Sequence, residues 1–254
     1  MIWKALMSFT AMLALSTQLQ ASNETFRDRD WNVRAVDNCG FPNTSRKDPS
    51  VSWVRINGDK KLKFTLRQGE KGKCSTDQKP RHRAPYWERA EVRQDPKMRL
   101  GSISMISFEA TFLEGFTGDR ETFFQIHSWD NGCSAYPLAM MKSQKGRLVV
   151  WSLHKVSGDG TGAGAGQHRE VQAQSVRIPQ LYGKPIKFEL DLDTRTSPGK
   201  LSVRMNGRTI VSDAATSFAP CARPHMKFGV YRPGGAGSST STVLIDDVVV
   251  KKGK

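Results

Sequence analysis

Three short stretches each place a polar side chain at every second position: Arg89-Ala90-Glu91-Val92-Arg93, Gln125-Ile126-His127 and Lys227-Phe228-Gly229-Val230-Tyr231. Alternate side chains of a strand share a face. Arg89, Glu91 and Arg93 therefore stand together, as do Gln125 with His127 and Lys227 with Tyr231. The intervening Val92, Ile126, Phe228 and Val230 point the other way, into a core. Cations, an amide, an imidazole and a phenol on one face suit the removal of a weakly acidic C–H proton. In a uronic acid polymer the C5 proton lies beside a carboxylate. Taking it requires that carboxylate to be neutralised, a base for the proton and an acid for the departing O4 oxygen. Arg89 and Gln125, with Lys227, would supply the first requirement, and His127 and Tyr231 the other two. Positive charge beside Tyr231 would favour its phenolate and so its use as a base.

These motifs need strands to carry them, and the chain is patterned for strands. From about residue 50 onwards apolar residues recur with period two in short runs bounded by Gly, Pro, Asn and Asp. The pattern predicts strands at 52–56, 61–66, 87–94, 103–112, 122–127 and 148–153. Further strands are expected at 170–176, 186–193, 200–205, 208–211, 226–231 and 242–251. Asn206-Gly207 is a two-residue hairpin signal, and Ser197-Pro198-Gly199 a turn. So many short strands argue for two packed antiparallel sheets. The expected fold is an all-β sandwich of jelly-roll, concanavalin-like type with a concave substrate groove. The polar segment 67–85 reads as a long surface loop, and the glycine-rich stretches at 158–166 and 233–239 as flexible loops.

Residues 1–21 read as a secretory signal, with Lys4 ahead of an apolar run from Ala5 to Leu15 that is too short to span a bilayer. That leaves a single domain at 22–254, secreted or periplasmic. The full chain has 39 basic and 24 acidic residues, a formal charge of +15. Such a balance suits a polyanionic partner; export argues against nucleic acid, and no membrane association is expected. Cys39, Cys74, Cys133 and Cys221 in an exported chain suggest two disulfides. Three pairings are open; Cys39–Cys74 with Cys133–Cys221 is favoured, because the second bridge would tie the loop after His127 to the approach of the Tyr231 strand. No cysteine spacing suits zinc.

In order and spacing, the three motifs resemble those of the jelly-roll polysaccharide lyases: the alginate lyases, glucuronan lyases and type I heparin lyases. The resemblance implies that Arg89 and Gln125 hold the substrate carboxylate, that His127 and Tyr231 are the base and acid, and that Lys227 and Arg93 grip the chain. It further implies an acidic polysaccharide substrate such as alginate, glucuronan or a heparin-like glycan, acted on by a monomer without a required cofactor. Alginate lyases tend to follow their tyrosine with x-Gln. Here Arg232-Pro233 follows Tyr231, closer to the heparin and glucuronan type, and Arg232 joins the substrate-binding candidates. Glu91 reads as the partner that orients Arg89 or Arg93. Asp246 and Asp247 are candidates for a structural calcium site; no catalytic metal is expected. Trp129, Tyr136 and Trp151 are candidates for stacking on sugars. His82, His154, His168 and His225 are expected at the surface. Two alternatives remain. One is a non-catalytic carbohydrate-binding sandwich. The other is a sandwich glycoside hydrolase using Glu189 and Asp191, whose alternating carboxylates share a strand face.

Overall fold

The computed structural model describes residues 25–80, 82–116, 120–128, 136–156, 166–235 and 240–253. The expected signal segment, Cys133, Trp129 and most of the two glycine-rich stretches lie outside these residues. The strands are β1 (Thr25–Phe26), β2 (Arg34–Asp37), β3 (Val51–Ile56), β4 (Asp59–Leu66), β5 (Trp87–Asp95), β6 (Ile103–Phe112), β7 (Glu121–His127) and β8 (Ala139–Gln144). They continue as β9 (Arg147–Val156), β10 (Gly166–Arg177), β11 (Pro185–Asp193), β12 (Gly199–Met205), β13 (Arg208–Thr216), β14 (His225–Pro233) and β15 (Ser241–Lys252). Among the described residues the only helical element is a 3-10 turn at Ile178–Leu181.

All pairings are antiparallel. One sheet has the order β1-β2-β5-β14-β7-β8-β9-β10 and the other β13-β12-β11-β6-β15-β4-β3. The chain is thus an all-β sandwich of two sheets, as expected of a jelly roll. Phenylalanines join the two layers. Phe108 of β6 stacks on Phe124 of β7 with ring centroids 4.6 Å apart, and Phe228 of β14 meets Phe64 of β4 at 5.9 Å. Burying rings of this size dominates such a core. Ala90, Val92, Ile126, Phe228 and Val230 all lie in that core. Their polar neighbours in sequence are therefore forced onto the opposite face of the eight-stranded sheet.

Tight turns fix the hairpin registers. Asn206 and Gly207 have φ of 50° and 76°, the left-handed pair that a type I′ turn needs. Lys145-Gly146, with φ of 51° and 72°, makes the corresponding turn between β8 and β9. The strand β8 was not expected, because Ala139–Gln144 contains Met140, Met141 and Lys142 and no β-branched residue. Polar β2 was missed as well. It borders β5 through Val36 opposite Arg93 and extends the polar sheet.

Two candidate features fall away from that polar face. Glu189 and Asp191 lie on β11 in the other sheet, where Arg204 meets them at 3.5 and 3.2 Å. They are a salt-bridged surface pair, so the hydrolase alternative has no counterpart at the polar face. Asp246 is held by Lys61 at 3.3 Å and by the Trp31 indole N–H at 3.4 Å. Lys61 also reaches Glu109 at 2.8 Å. Lys61 is thus a shared ion-pair partner of Asp246 and Glu109. Among the described residues no group of three or more His, Cys, Asp or Glu is arranged to hold a metal.

Candidate active site

The three motif strands lie side by side, with β14 between β5 and β7. Their register sets the site. Lys227 faces Arg93 on one side and Gln125 on the other; Gly229 faces Glu91; Tyr231 faces Arg89 and Thr122; His127 faces His225. Residues paired in this way share a sheet face. Six of the seven catalytic and substrate-binding candidates therefore meet on one surface: Arg89, Arg93, Gln125, His127, Lys227 and Tyr231.

Gly229 sits at an irregularity in the β14–β7 pairing with φ of +137°, a conformation other residues rarely adopt. A Cβ there would run into the Ala90 carbonyl and lie 2.9 Å from Glu91 Cα. The same Cβ would lie 2.9 Å from the core ring of Phe64, so the close approach of β5 and the core requires glycine here.

Beside Gly229, which pairs with Glu91, lies a buried charge network. Asp77 grips Arg89 with both oxygens, accepting from Nε and Nη2 at 2.8 Å each, while Arg89 Nη1 donates to Glu91. The other oxygen of Glu91 accepts from Gln125 Nε2 at 2.7 Å. Glu91 is thus the orienting group expected of it, although it holds Arg89 and Gln125 rather than Arg93. The guanidinium of Arg89 lies 4.1 Å over the Tyr231 ring, which also stacks on Trp87 at 4.8 Å.

Asp77 was invisible in the sequence because it lies in the stretch read as a surface loop. That loop is instead bound to the sheet. The Cys39–Cys74 disulfide anchors it, Asp77 N donates to Cys74 O, and Trp87 N donates to Asp77 O. Gly72 lets the turn close, since a Cβ there would clash with the Asp77 carboxylate and lie 2.8 Å from Arg89 Cβ. The pairing expected for Cys39 and Cys74 is therefore present. The Cys133–Cys221 bridge involves Cys133 and lies outside the described residues.

Lys227 is in a different electrostatic position from Arg89. It is 8% exposed, and among the described residues neither it nor Arg93 makes a side-chain hydrogen bond or ion pair. Burial, reinforced by the charge of Arg89, pulls the Lys227 ammonium down to about 8. His127 is half-buried, and burial together with Lys227 holds its pKa well below the usual imidazole range. His225, expected at the surface, is buried beside it with ring centroids 5.6 Å apart. Burial brings His225 down to about 4, against the opposing effect of its contact with the Arg223 carbonyl. Both imidazoles are thus neutral at pH 7.

Arg232 does not belong to this face. It is 1% exposed and turns the other way, where Nε meets Glu88 at 2.5 Å and Nη1 meets Glu121 at 2.8 Å. Strand alternation after Tyr231 requires this, because the next residue must face inward. Arg232 is a structural ion-pair centre and carries no information about substrate. His168 also departs from expectation: it is half-buried and its Nε2 lies 2.7 Å from the Pro137 carbonyl.

Residues 23–249 match the family described as polysaccharide lyase. No curated protein matches the sequence. Solved structures share the fold at low identity. An endo-β-1,4-glucuronan lyase from the fungus Trichoderma reesei has a TM-score of 0.60 at 16% identity, covering 80% of this chain and 87% of that one. The alginate lyase A1-II′ gives 0.54 at 16% identity, covering 79% and 83%. An alginate lyase from a Chlorella virus gives 0.53 at 13% identity, covering 80% and 89%. With the family matched over nearly its whole length, this chain is a member of the polysaccharide lyase family.

Proposed function

We propose that the protein cleaves a uronic-acid-containing polysaccharide by β-elimination, with its centre over Gly229. The observation that carries this reading is that His127, Tyr231 and Lys227, an ammonium with no ion-pair partner among the described residues, share one face of the sheet. The sugar carboxylate binds Lys227 and Gln125, whose amide Glu91 holds in place. Arg89 contributes less directly than its motif implies, since Asp77 and Glu91 already occupy its guanidinium; its part is to fix and polarise Tyr231. His127 and Tyr231 are the two groups that exchange protons with the sugar. One takes the C5 proton and the electron pair forms the C4–C5 double bond. The C4–O4 bond breaks and the other group delivers a proton to O4. Positive charge held at the carboxylate stabilises the electron density that builds there.

Glucuronan and alginate, the polymers named for the similar structures, are the first substrates to test. Purified protein should raise the ultraviolet absorbance of unsaturated uronate on at least one of alginate, glucuronan, heparin-type glycans and pectate. New reducing ends without that absorbance would sink the elimination reading. Export to a secreted or periplasmic location is part of the proposal, supported by the signal-like residues 1–21 and by a disulfide, a bond rare in reducing compartments.

Two expectations follow from the geometry. The first concerns pH. In the free enzyme Lys227 loses its charge as pH rises through about 8, so kcat/KM should fall above that pH. A bound carboxylate favours the charged amine, so kcat should hold to a higher pH. Lys227→Arg should remove the alkaline fall in kcat/KM, which pH–rate profiles would read directly. The second concerns the loop. Gly72→Ala displaces Asp77 and with it Arg89, and a shift of this kind costs about 100-fold in rate. Steady-state assays should show that loss mainly in kcat.

A further inference from the structure

Beyond the reacting centre, the register continues across the sheet. Gln125 faces Met140 on β8, Met140 faces Trp151 on β9, and Trp151 faces Glu170 on β10. The neighbouring row runs from Arg89 through Tyr231 and Thr122 to Lys142 on β8. Met140 and Trp151 are half-buried, and neither they nor Lys142 belong to the hydrophobic core, so all three stand on the polar face. Lys142 bridges the two rows, its Nζ 3.5 Å from the Trp151 ring centroid.

A polymer crossing the strands over Gly229 runs between these rows and meets Lys142 and Trp151 next. Strands are spaced at ~4.8 Å, so the step from β14 to β8 and β9 is roughly 10–14 Å, or about two to three pyranose units. In the other direction the rows reach Arg93 and Arg89 on β5. Thus both ends of the path are basic, and one of them carries an aromatic ring.

We propose that Trp151 and Lys142 form a distal subsite for an anionic sugar of the same polymer, on the side of the site away from Arg93. The proposal rests on the lyase reading for the identity of the polymer. The indole offers a flat apolar surface to the C–H face of a pyranose. The ammonium, held against that ring, offers a charge-assisted contact to the same sugar's carboxylate. Met140, between this pair and Gln125, gives the intervening sugar an apolar floor. Glu170, exposed and opposite Trp151, brings negative charge to the next strand and ends the binding path there. A carboxylate beyond that point would be repelled. The enzyme therefore favours substrates long enough to reach Trp151.

The test uses size-defined oligoglucuronates and oligomannuronates, comparing trimers with hexamers. In the wild type kcat/KM rises with length. In Trp151→Ala and Lys142→Met the hexamer-to-trimer ratio falls about tenfold or more, the loss expected of one good contact. Trp151→Phe and Lys142→Arg keep the ratio within about threefold of the wild type. A ratio rather than a rate makes the result independent of how much of each variant folds. If the ratio is unchanged in Trp151→Ala and Lys142→Met, even with both activities reduced, the subsite is refuted. Calorimetric binding of the same hexamers separates this proposal from the lyase reading. Hexamer binding that weakens in Trp151→Ala, with no unsaturated product from the wild type, keeps the subsite and removes the lyase. Neither binding nor cleavage removes both.

Discussion

Tyr231→Phe should abolish formation of unsaturated product while leaving the fold in place. The substitution removes one oxygen. The ring keeps its stack on Trp87 at 4.8 Å and its place under the Arg89 guanidinium at 4.1 Å, so these two contacts survive the substitution. What is lost is a group able to exchange a proton with the sugar, which contributes about 100- to 10,000-fold in rate. The ultraviolet assay under saturating substrate should show the loss in kcat, with little change in KM because the carboxylate contacts at Lys227 and Gln125 remain. His127→Gln should act on the same step to a similar degree. It removes the neutral imidazole and keeps a polar side chain of comparable reach. Groups that serve one elimination are strongly non-additive, so the double variant should be scarcely slower than the slower single one. If Tyr231→Phe kept more than about a tenth of the wild-type kcat, a loss too small for a proton-transfer group, the phenol would not be one.

How much of this was legible beforehand depends on whether a feature was local. Strand alternation is local, so the face shared by Arg89, Glu91 and Arg93 could be read from residue spacing, as could the core position of Val92, Ile126 and Phe228. The Asn206-Gly207 hairpin was equally plain, since its two positive φ values demand those residue types. Partners distant in the chain were not legible. Asp77 joins the site only because a disulfide and several backbone hydrogen bonds fold its loop onto β5, and nothing in its own neighbours hints at that. His225 was misplaced for a related reason. A histidine at a strand start beside Pro224 looks like a surface residue until β7 is laid next to it. Arg89 shows the limit of motif reasoning. Its presence was evident, but that Asp77 and Glu91 occupy its donors, while Lys227 and Arg93 have no ion-pair partner among the described residues, follows only from side-chain geometry. The inward direction of Arg232, by contrast, is a local feature of the sequence. Tyr231 and Arg232 are consecutive in a strand, so they cannot both face the substrate.

Arg232 therefore predicts a loss of stability where the motif suggested a loss of substrate binding. It lies between Glu88 and Glu121, both fully buried, and its Nη1 also donates to Ser241 Oγ at 2.7 Å. Glu88 in turn accepts from the Gly69 backbone N–H at 2.6 Å. Removing one partner from a buried ion-paired group leaves charge without compensation and costs about 3–5 kcal/mol. Arg232→Met strands two such carboxylates, so denaturant unfolding should show a stability lower by about that amount or more. Adding Glu88→Gln and Glu121→Gln removes the uncompensated charge, and most of the loss should return, since neutral groups of the same shape replace a buried pair at little cost. Arg93→Met is the contrasting case. It lies on the polar face without an ion-pair partner, so its loss should raise KM for the acidic polymer and leave unfolding nearly unchanged. A rise in KM from Arg232→Met at unaltered stability would mean that the guanidinium reaches the substrate after all, and that the inward direction of its side chain is wrong.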